Sequence, residues 1–131
     1  MDLLLLTAEP NPDVVLPSLS LLAHALRTAP PDVSSLLEAG SADILIVDAR
    51  LDLPAARGLC RLLGSTGRSI PVVVVVNEGG LVAVNADWGL DEILLPGTGP
   101  AEIDARLRVE RTGVLGPRSR RQGQARQYQN K

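Results

Sequence analysis

Residues 43–50 read Asp-Ile-Leu-Ile-Val-Asp-Ala-Arg, an apolar run too short for a helix that ends abruptly on the carboxylate of Asp48. Such a run fits a strand buried on both faces, the situation inside a parallel sheet. Sites in open α/β sheets lie outside the carboxyl ends of the strands, so a carboxylate delivered there is placed for chemistry or for signalling. Aspartate also ends strands simply as a turn former, bonding the backbone two residues on. Asp48 by itself does not separate these readings.

The rest of the chain supplies the context. Apolar runs at Leu3 to Leu6, Ile70 to Val76 and Ile93 to Leu95 join the Asp48 strand, and Arg27 to Ala29 adds a weak edge strand. Helical stretches fall between them. Residues 17–26 carry leucines at 19, 22 and 26, the spacing of one buried face. Asp32 caps a shorter run through Leu36 and Leu37 that Gly40 ends. Leu53 to Leu63 repeats the pattern behind Asp52. Gly79 to Ala86 is the weakest helix, since Val82 and Val84 lower its propensity and Gly79-Gly80 loosen its entry. Pro100 to Leu107 closes the set, with proline in the first turn and acids ahead of bases. Five strands alternating with five helices imply βαβ units on a parallel sheet.

At 131 residues and 45% hydrophobic content the chain can bury one core, but with 2% aromatic residues leucine, valine and alanine must fill it. No apolar run approaches the roughly 20 residues that span a bilayer, and no secretory leader is recognisable. The one cysteine, Cys60, falls inside a helical stretch and reads as a buried structural thiol. A reducing cytoplasm is the expected compartment. Charge is split: residues 1–110 carry a formal −8, and residues 111–131 carry +6 without a single acid. The folded unit is therefore expected over 1–109, followed by a basic, disordered tail over 110–131. Such a tail can bind phosphates nonspecifically, although a solvated linker is the preferred reading.

The strand ending at Asp48, the βα order, and Asp91-Glu-Ile-Leu-Leu-Pro96 followed by Pro100-Ala-Glu-Ile-Asp-Ala-Arg-Leu107 resemble the receiver domain of OmpR-type response regulators. Residues 1 to about 108 are more closely similar to the receiver of the GlnR family, orphan nitrogen regulators of actinobacteria. Residues 65–71 (Ser-Thr-Gly-Arg-Ser-Ile-Pro) and 79–91 (Gly-Gly-Leu-Val-Ala-Val-Asn-Ala-Asp-Trp-Gly-Leu-Asp) are the most specific parts of the match. The tail does not join it, and nothing after Leu107 resembles the winged-helix DNA-binding domain that follows the receiver in that family. The resemblance implies a flavodoxin-like (CheY-like) doubly wound (βα)5 fold with a five-stranded parallel sheet in the order 2-1-3-4-5.

This sequence departs from the working receiver pattern. A phosphoryl-accepting receiver needs a pair of acids after the first strand to hold Mg²⁺, which neutralises the transferring phosphoryl oxygens. Thr7 and Ala8 stand there. The lysine expected at the end of the fifth strand is Pro96, or Leu95 with one gap. The hydroxyl at the end of the fourth falls on Val76 or Asn77, and the aromatic switch falls on Ile93. A carboxylate that is not phosphorylated still has to be accommodated, and a partly buried unpaired one is costly. Arg50, in the same loop, and Thr7, at the end of the adjacent first strand, are the expected partners. The three are expected to form a constitutive charge lock that does permanently what phosphate and magnesium do transiently. No metal or other cofactor is expected.

Smaller weights fall elsewhere. Glu9 could offer one carboxylate to a cation, too few oxygens to hold Mg²⁺ usefully. His24 reads as a packed or surface histidine. Gly97-Thr98-Gly99 lacks the rest of a phosphate loop and reads as a connector. An aspartyl-phosphate hydrolase would need an acid where Arg50 stands, so no enzyme is expected.

OmpR-type receivers pair through the fourth helix, fifth strand and fifth helix. The resemblance carries that role to Asp87, Asp91, Glu92, Glu102 and Arg106, with Val82 where a base usually stands. A two-fold axis makes such a patch self-complementary. The expected function is thus a phosphorylation-independent receiver and dimerisation domain of a transcription regulator of nitrogen metabolism. Its expected partners are a second copy, promoter DNA through a C-terminal domain absent here, and RNA polymerase. A stand-alone pseudo-receiver acting as an interaction adaptor is the alternative, and an active phospho-acceptor using small phosphodonors is a third reading.

Overall fold

The computed structural model describes residues 1–65 and 70–113, with residues 38–40 as backbone only. Strands β1 (Asp2–Leu6), β2 (Ala25–Ala29), β3 (Ile44–Asp48), β4 (Val72–Val75) and β5 (Glu92–Leu94) form one sheet in the order β2-β1-β3-β4-β5. Every pairing is parallel. The sequence-based order 2-1-3-4-5 is the order found.

The continuous apolar runs are explained by burial on two faces. Alternate strand residues Leu4, Leu6, Leu45, Val47, Val72 and Val74 pack with Leu59, Leu63 and Trp88 in one core. The intervening residues Leu3, Leu5, Ile44, Ile46, Val73 and Val75 pack with Val15, Leu16, Ile103 and Leu107 in the other. Both sides of each central strand are covered, so no polar alternation survives in their sequence.

Among the described residues two α-helices cover the sheet, α1 (Leu53–Ser65) and α2 (Pro100–Gly113). Asp52 caps α1 by accepting the Ala55 N–H at 3.0 Å, and Ala56, Leu59, Cys60 and Leu63 form its buried stripe. Burial pushes the Cys60 thiol up to about 12, as suits an inert core sulfur. In α2, Ile103 and Leu107 are fully buried one turn apart. That helix runs past the expected boundary at 109 to Gly113, because Glu110 is still buried at 3% exposure.

The other three expected helices are corrected. Short 3-10 segments stand in their places: Pro12–Val14 and Pro17–Leu21, Val33–Ser41, and Glu78–Ala83 with Ala86–Trp88. Ala25 and Leu26, expected in a helix, belong to β2 and pair with Asp2 and Leu3. Leu19, Leu22 and Leu26 do face one core, but from a 3-10 turn, a connector and a strand. Prolines 10, 12 and 17 remove backbone donors before β2 begins, and Gly79-Gly80 weakens the later segment. Asp32 caps its segment as expected, accepting the Ser35 N–H at 3.1 Å. Its carboxyl is held below the usual range, first by the Ser34 hydroxyl.

Trp88 anchors the last of these segments. It is 2% exposed, packs with α1, and is followed by Gly89 at φ 78°, the one residue with positive φ among those described. Its indole N–H is buried without a hydrogen-bond partner among the described residues. The expected disordered tail, 110–131, falls beyond the described residues from 114 onward, as do residues 66–69 of the family-specific 65–71 stretch.

Candidate functional site

Sheet register brings the site together. Leu6 of β1 lies beside Val47 of β3, so the next step along both strands sets Thr7 beside Asp48. Both follow the parity of Leu3, Leu5, Ile44 and Ile46, and point to the same face. The Thr7 hydroxyl accordingly donates to Asp48 Oδ2 at 2.8 Å. It also accepts the Glu9 N–H at 3.0 Å, which turns the chain out of β1.

Arg50 returns over the strand end and grips the same carboxylate with both prongs. Its Nε donates to Asp48 Oδ1 at 2.9 Å and its Nη2 to Oδ2 at 3.0 Å. The Arg50 backbone N–H adds a third bond to Oδ1 at 3.1 Å. Bidentate pairing of this kind adds geometric specificity to charge-assisted hydrogen bonds that are already about twice as strong as neutral ones. The pair is also withdrawn from water, the Asp48 side chain being 3% exposed and that of Arg50 10%.

Burial on its own would raise the Asp48 pKa. The Arg50 side chain, the Thr7 hydroxyl and the Arg50 N–H together outweigh it and hold the carboxyl below its ordinary value. The guanidinium is correspondingly raised above its own, chiefly by the bonds it gives Asp48. Arg50 Nη2 reaches further to Glu9 Oε1 at 3.3 Å. Thr7, Asp48 and Arg50 are thus brought together, and Glu9, weighed in the sequence only as a cation ligand, is a fourth member. Its position in the loop that leaves β1 was the available signal.

The same edge does not suit a divalent cation. A guanidinium already lies between the two nearest carboxylates, and among the described residues no three His, Cys, Asp or Glu side chains converge. At the ends of β4 and β5 an open cleft of about 620 Å³ is lined by Asn77, Glu78, Pro96 and Glu102, among others. The resemblance expects a hydroxyl at Val76 or Asn77 and a lysine at Pro96 or Leu95, and Asn77, Leu95 and Pro96 all line this cleft. The Gly97-Thr98-Gly99 stretch is a tight turn closed by Thr98 Oγ1 donating to the Leu95 carbonyl at 2.7 Å.

The residues carried over as an interface are engaged within the chain. Asp87 pairs with Arg57 of α1 at 2.8 Å. Asp91 Oδ2 accepts the Val72 N–H at 2.8 Å, fixing the start of β4. Arg106 bridges Glu92 at 3.1 Å and Glu102 at 2.9 Å, and its pKa is raised, first by Glu102. Val82 alone among them projects freely, at 93% exposure. His24 is half-buried and pairs with Asp104 at 3.1 Å, joining the start of β2 to α2.

Comparison with known proteins fits this architecture. No curated protein sequence matches the chain. Among solved structures, NtrX from Brucella abortus superposes with a TM-score of 0.70 at 19% identity, over 90% of this chain and 28% of NtrX. The receiver domain of the sensor histidine kinase PA1611 from Pseudomonas aeruginosa, solved with magnesium in its active-site cleft, gives 0.68 at 19% identity, over 85% and 97%. The CheY-like protein TadZ from Pseudomonas aeruginosa gives 0.65 at 20%, over 84% and 92%. At these identities the likeness establishes a receiver fold. The chain spans little more than a quarter of NtrX. A family model described as the N-terminal domain of the transcription regulator GlnR matches residues 1–111. The chain therefore belongs to the GlnR family of transcription regulators and carries its N-terminal, receiver-fold domain.

Proposed function

We propose that this domain is a phosphorylation-independent receiver that dimerises and so positions the DNA-binding part of a transcription regulator of nitrogen metabolism. The observation that carries the reading is the two-pronged grip of Arg50 on Asp48. In a phosphorylated receiver the acceptor oxygen must be free to attack, and a metal must neutralise the phosphoryl oxygens. Here both oxygens of Asp48 already accept hydrogen bonds, and the neutralising charge is a covalently tethered guanidinium.

The lock holds the ends of β1 and β3 and the loop after β3 in one arrangement, so the domain rests in its active state. The surface of Glu78–Ala83, Asp87, Asp91, β5 and α2 is assigned to a two-fold contact between copies. Promoter DNA is read by a separate domain, RNA polymerase is a further partner, and the work is done in the cytoplasm. No catalytic step is assigned to the chain. Incubation with acetyl phosphate and Mg²⁺, followed by intact-mass measurement, tests the reading. Unchanged mass is the expected result, and stoichiometric addition of one phosphoryl group that Asp48→Asn abolishes would overturn it.

A further inference from the structure

Each strand of the sheet is followed by a carboxylate. Glu9 comes after β1, Asp32 after β2, Asp52 after β3 and Glu78 after β4, and Glu102 lies in the first turn of α2, after β5. In the loops that directly follow the strands Arg50 is the one base among the described residues, and it is already committed to Asp48 and Glu9. The carboxyl edge of the sheet is therefore acidic. Its open cleft of about 620 Å³ has Glu78 and Glu102 in its lining, with Leu95 and Pro96 between the polar groups. Glu102 shares Arg106 with Glu92, and the Glu78 side chain has no partner among the described residues. Carboxylates beside a short apolar wall suit a guanidinium, whose methylene stem covers apolar surface while its head pairs with charge.

The chain carries the complement. Residues 114–131, outside the described residues, include Arg118, Arg120, Arg121, Arg126 and Lys131 and no acid. Their point of departure is fixed. The helix α2 ends at Gly113, and Arg111 in its last turn pairs with Asp43 at 3.8 Å, at the foot of β3. The cleft lies at the other end of the same helix, and the 14 residues of α2 rise about 21 Å between them. Arg118 to Arg121 stand five to eight residues past Gly113, an extended reach of about 17–26 Å. The first group of arginines can thus return to Glu102 and Glu78. One exposed ion pair contributes at most about 1 kcal/mol, but a short tether supplies an effective concentration in the millimolar range. Contacts too weak to hold a free peptide can hold a linked one.

We infer that the basic segment of this chain folds back along α2 and docks the group Arg118 to Arg121 in the acidic cleft between Glu78 and Glu102. The contact is intramolecular and electrostatic, and it withdraws those guanidinium groups from other polyanions. The cleft borders the surface assigned above to a contact between copies, where the added positive charge lowers the repulsion between two acidic faces. The inference does not rest on that contact, nor on the state of Asp48.

Paramagnetic relaxation in the full chain tests this, with a nitroxide on Gln122→Cys. Cys60 is buried with its thiol pushed up to about 12, so the label goes to the new cysteine. At low salt the amides of Glu78, Thr98 and Gly99 should lose about half their intensity or more, as a tethered contact at millimolar effective concentration requires. The loss should disappear in about 1 M NaCl, where the Debye length falls to about 3 Å. It should also disappear in Glu78→Gln with Glu102→Gln, and in Arg118→Gln with Arg120→Gln and Arg121→Gln, whereas Asp2→Asn, exposed at the opposite edge of the sheet, should leave it intact. Broadening confined to the foot of α2, around Asp43, overturns the inference. So does broadening at the cleft that survives salt or either set of glutamines. A mixture of spin-labelled chain and unlabelled isotope-enriched chain should show no broadening at the cleft. Equal broadening in that mixture would mean that the segment docks on another copy, and would overturn the intramolecular contact.

Discussion

Asp48 shows how far a single side chain can be argued from sequence. Its position at a strand end, Arg50 two residues on and Thr7 in the neighbouring strand were all legible, because parallel register fixes which residues become neighbours. The reach of Arg50 to Glu9 was not, since it depends on the path of the loop after Thr7, which no periodicity encodes. Replacing Arg50 with alanine would leave a buried carboxylate without its counter-charge and should cost about 3–5 kcal/mol in chemical denaturation. Asp48→Asn should cost about 1–3 kcal/mol. The double variant should fall short of the sum by about 1 kcal/mol or more, and strict additivity would show that the two side chains do not act as a unit.

Acid titration separates charge from shape at the same residue. The folded-state pKa of Asp48 lies below its ordinary value of 3.8, so its ionic contribution is complete above that value and is lost as pH falls through the folded pKa. Between pH 5 and 8 the gap in melting temperature between wild type and Asp48→Asn should stay constant, and below about pH 4 it should narrow. A gap that closes near neutrality would contradict the lowered pKa. Thr7→Val keeps the shape but removes the bonds to Asp48 and to the Glu9 N–H, an expected loss of about 1–2 kcal/mol measured by urea unfolding.

Elements were legible in proportion to how strongly burial dictates them. The central strands are enclosed on both faces and announce themselves as continuous apolar runs, α1 shows a cap and a buried stripe, and α2 shows a proline in its first turn and the buried pair Ile103 and Leu107. The 3-10 segments escaped because spacing alone does not distinguish a helix from a string of turns whose apolar residues face the same core. Leu19, Leu22 and Leu26 are the instance. Trp88 was missed as the anchor of residues 78–88, since one large side chain leaves no pattern. Gly89, at φ 78° and with a Cβ that would sit 3.7 Å from the Cys60 carbonyl, sets the turn after it. Gly89→Ala should therefore lower stability by about 1 kcal/mol in thermal unfolding, where Gly58→Ala, exposed within α1 and with open space around its Cβ, should raise it.

At the scale of the whole molecule, the fold follows from the alternation of strands and helical connections, which leaves a doubly wound sheet as the natural answer. The proposed contact surface was less legible: the Glu102–Arg106 spacing of four residues can be read from the sequence, whereas Glu92 and Asp87 find partners through tertiary structure. What unites the scales is a receiver fold whose strand-end aspartate, Asp48, is already committed to a tethered cation. Light scattering on the unmodified full chain, in EDTA and without any phosphodonor, tests that claim most directly. A dimer at micromolar concentration, unchanged when Mg²⁺ and acetyl phosphate are added, is the result expected of a permanently locked receiver. A monomer that dimerises only after Mg²⁺ and acetyl phosphate are supplied would contradict it.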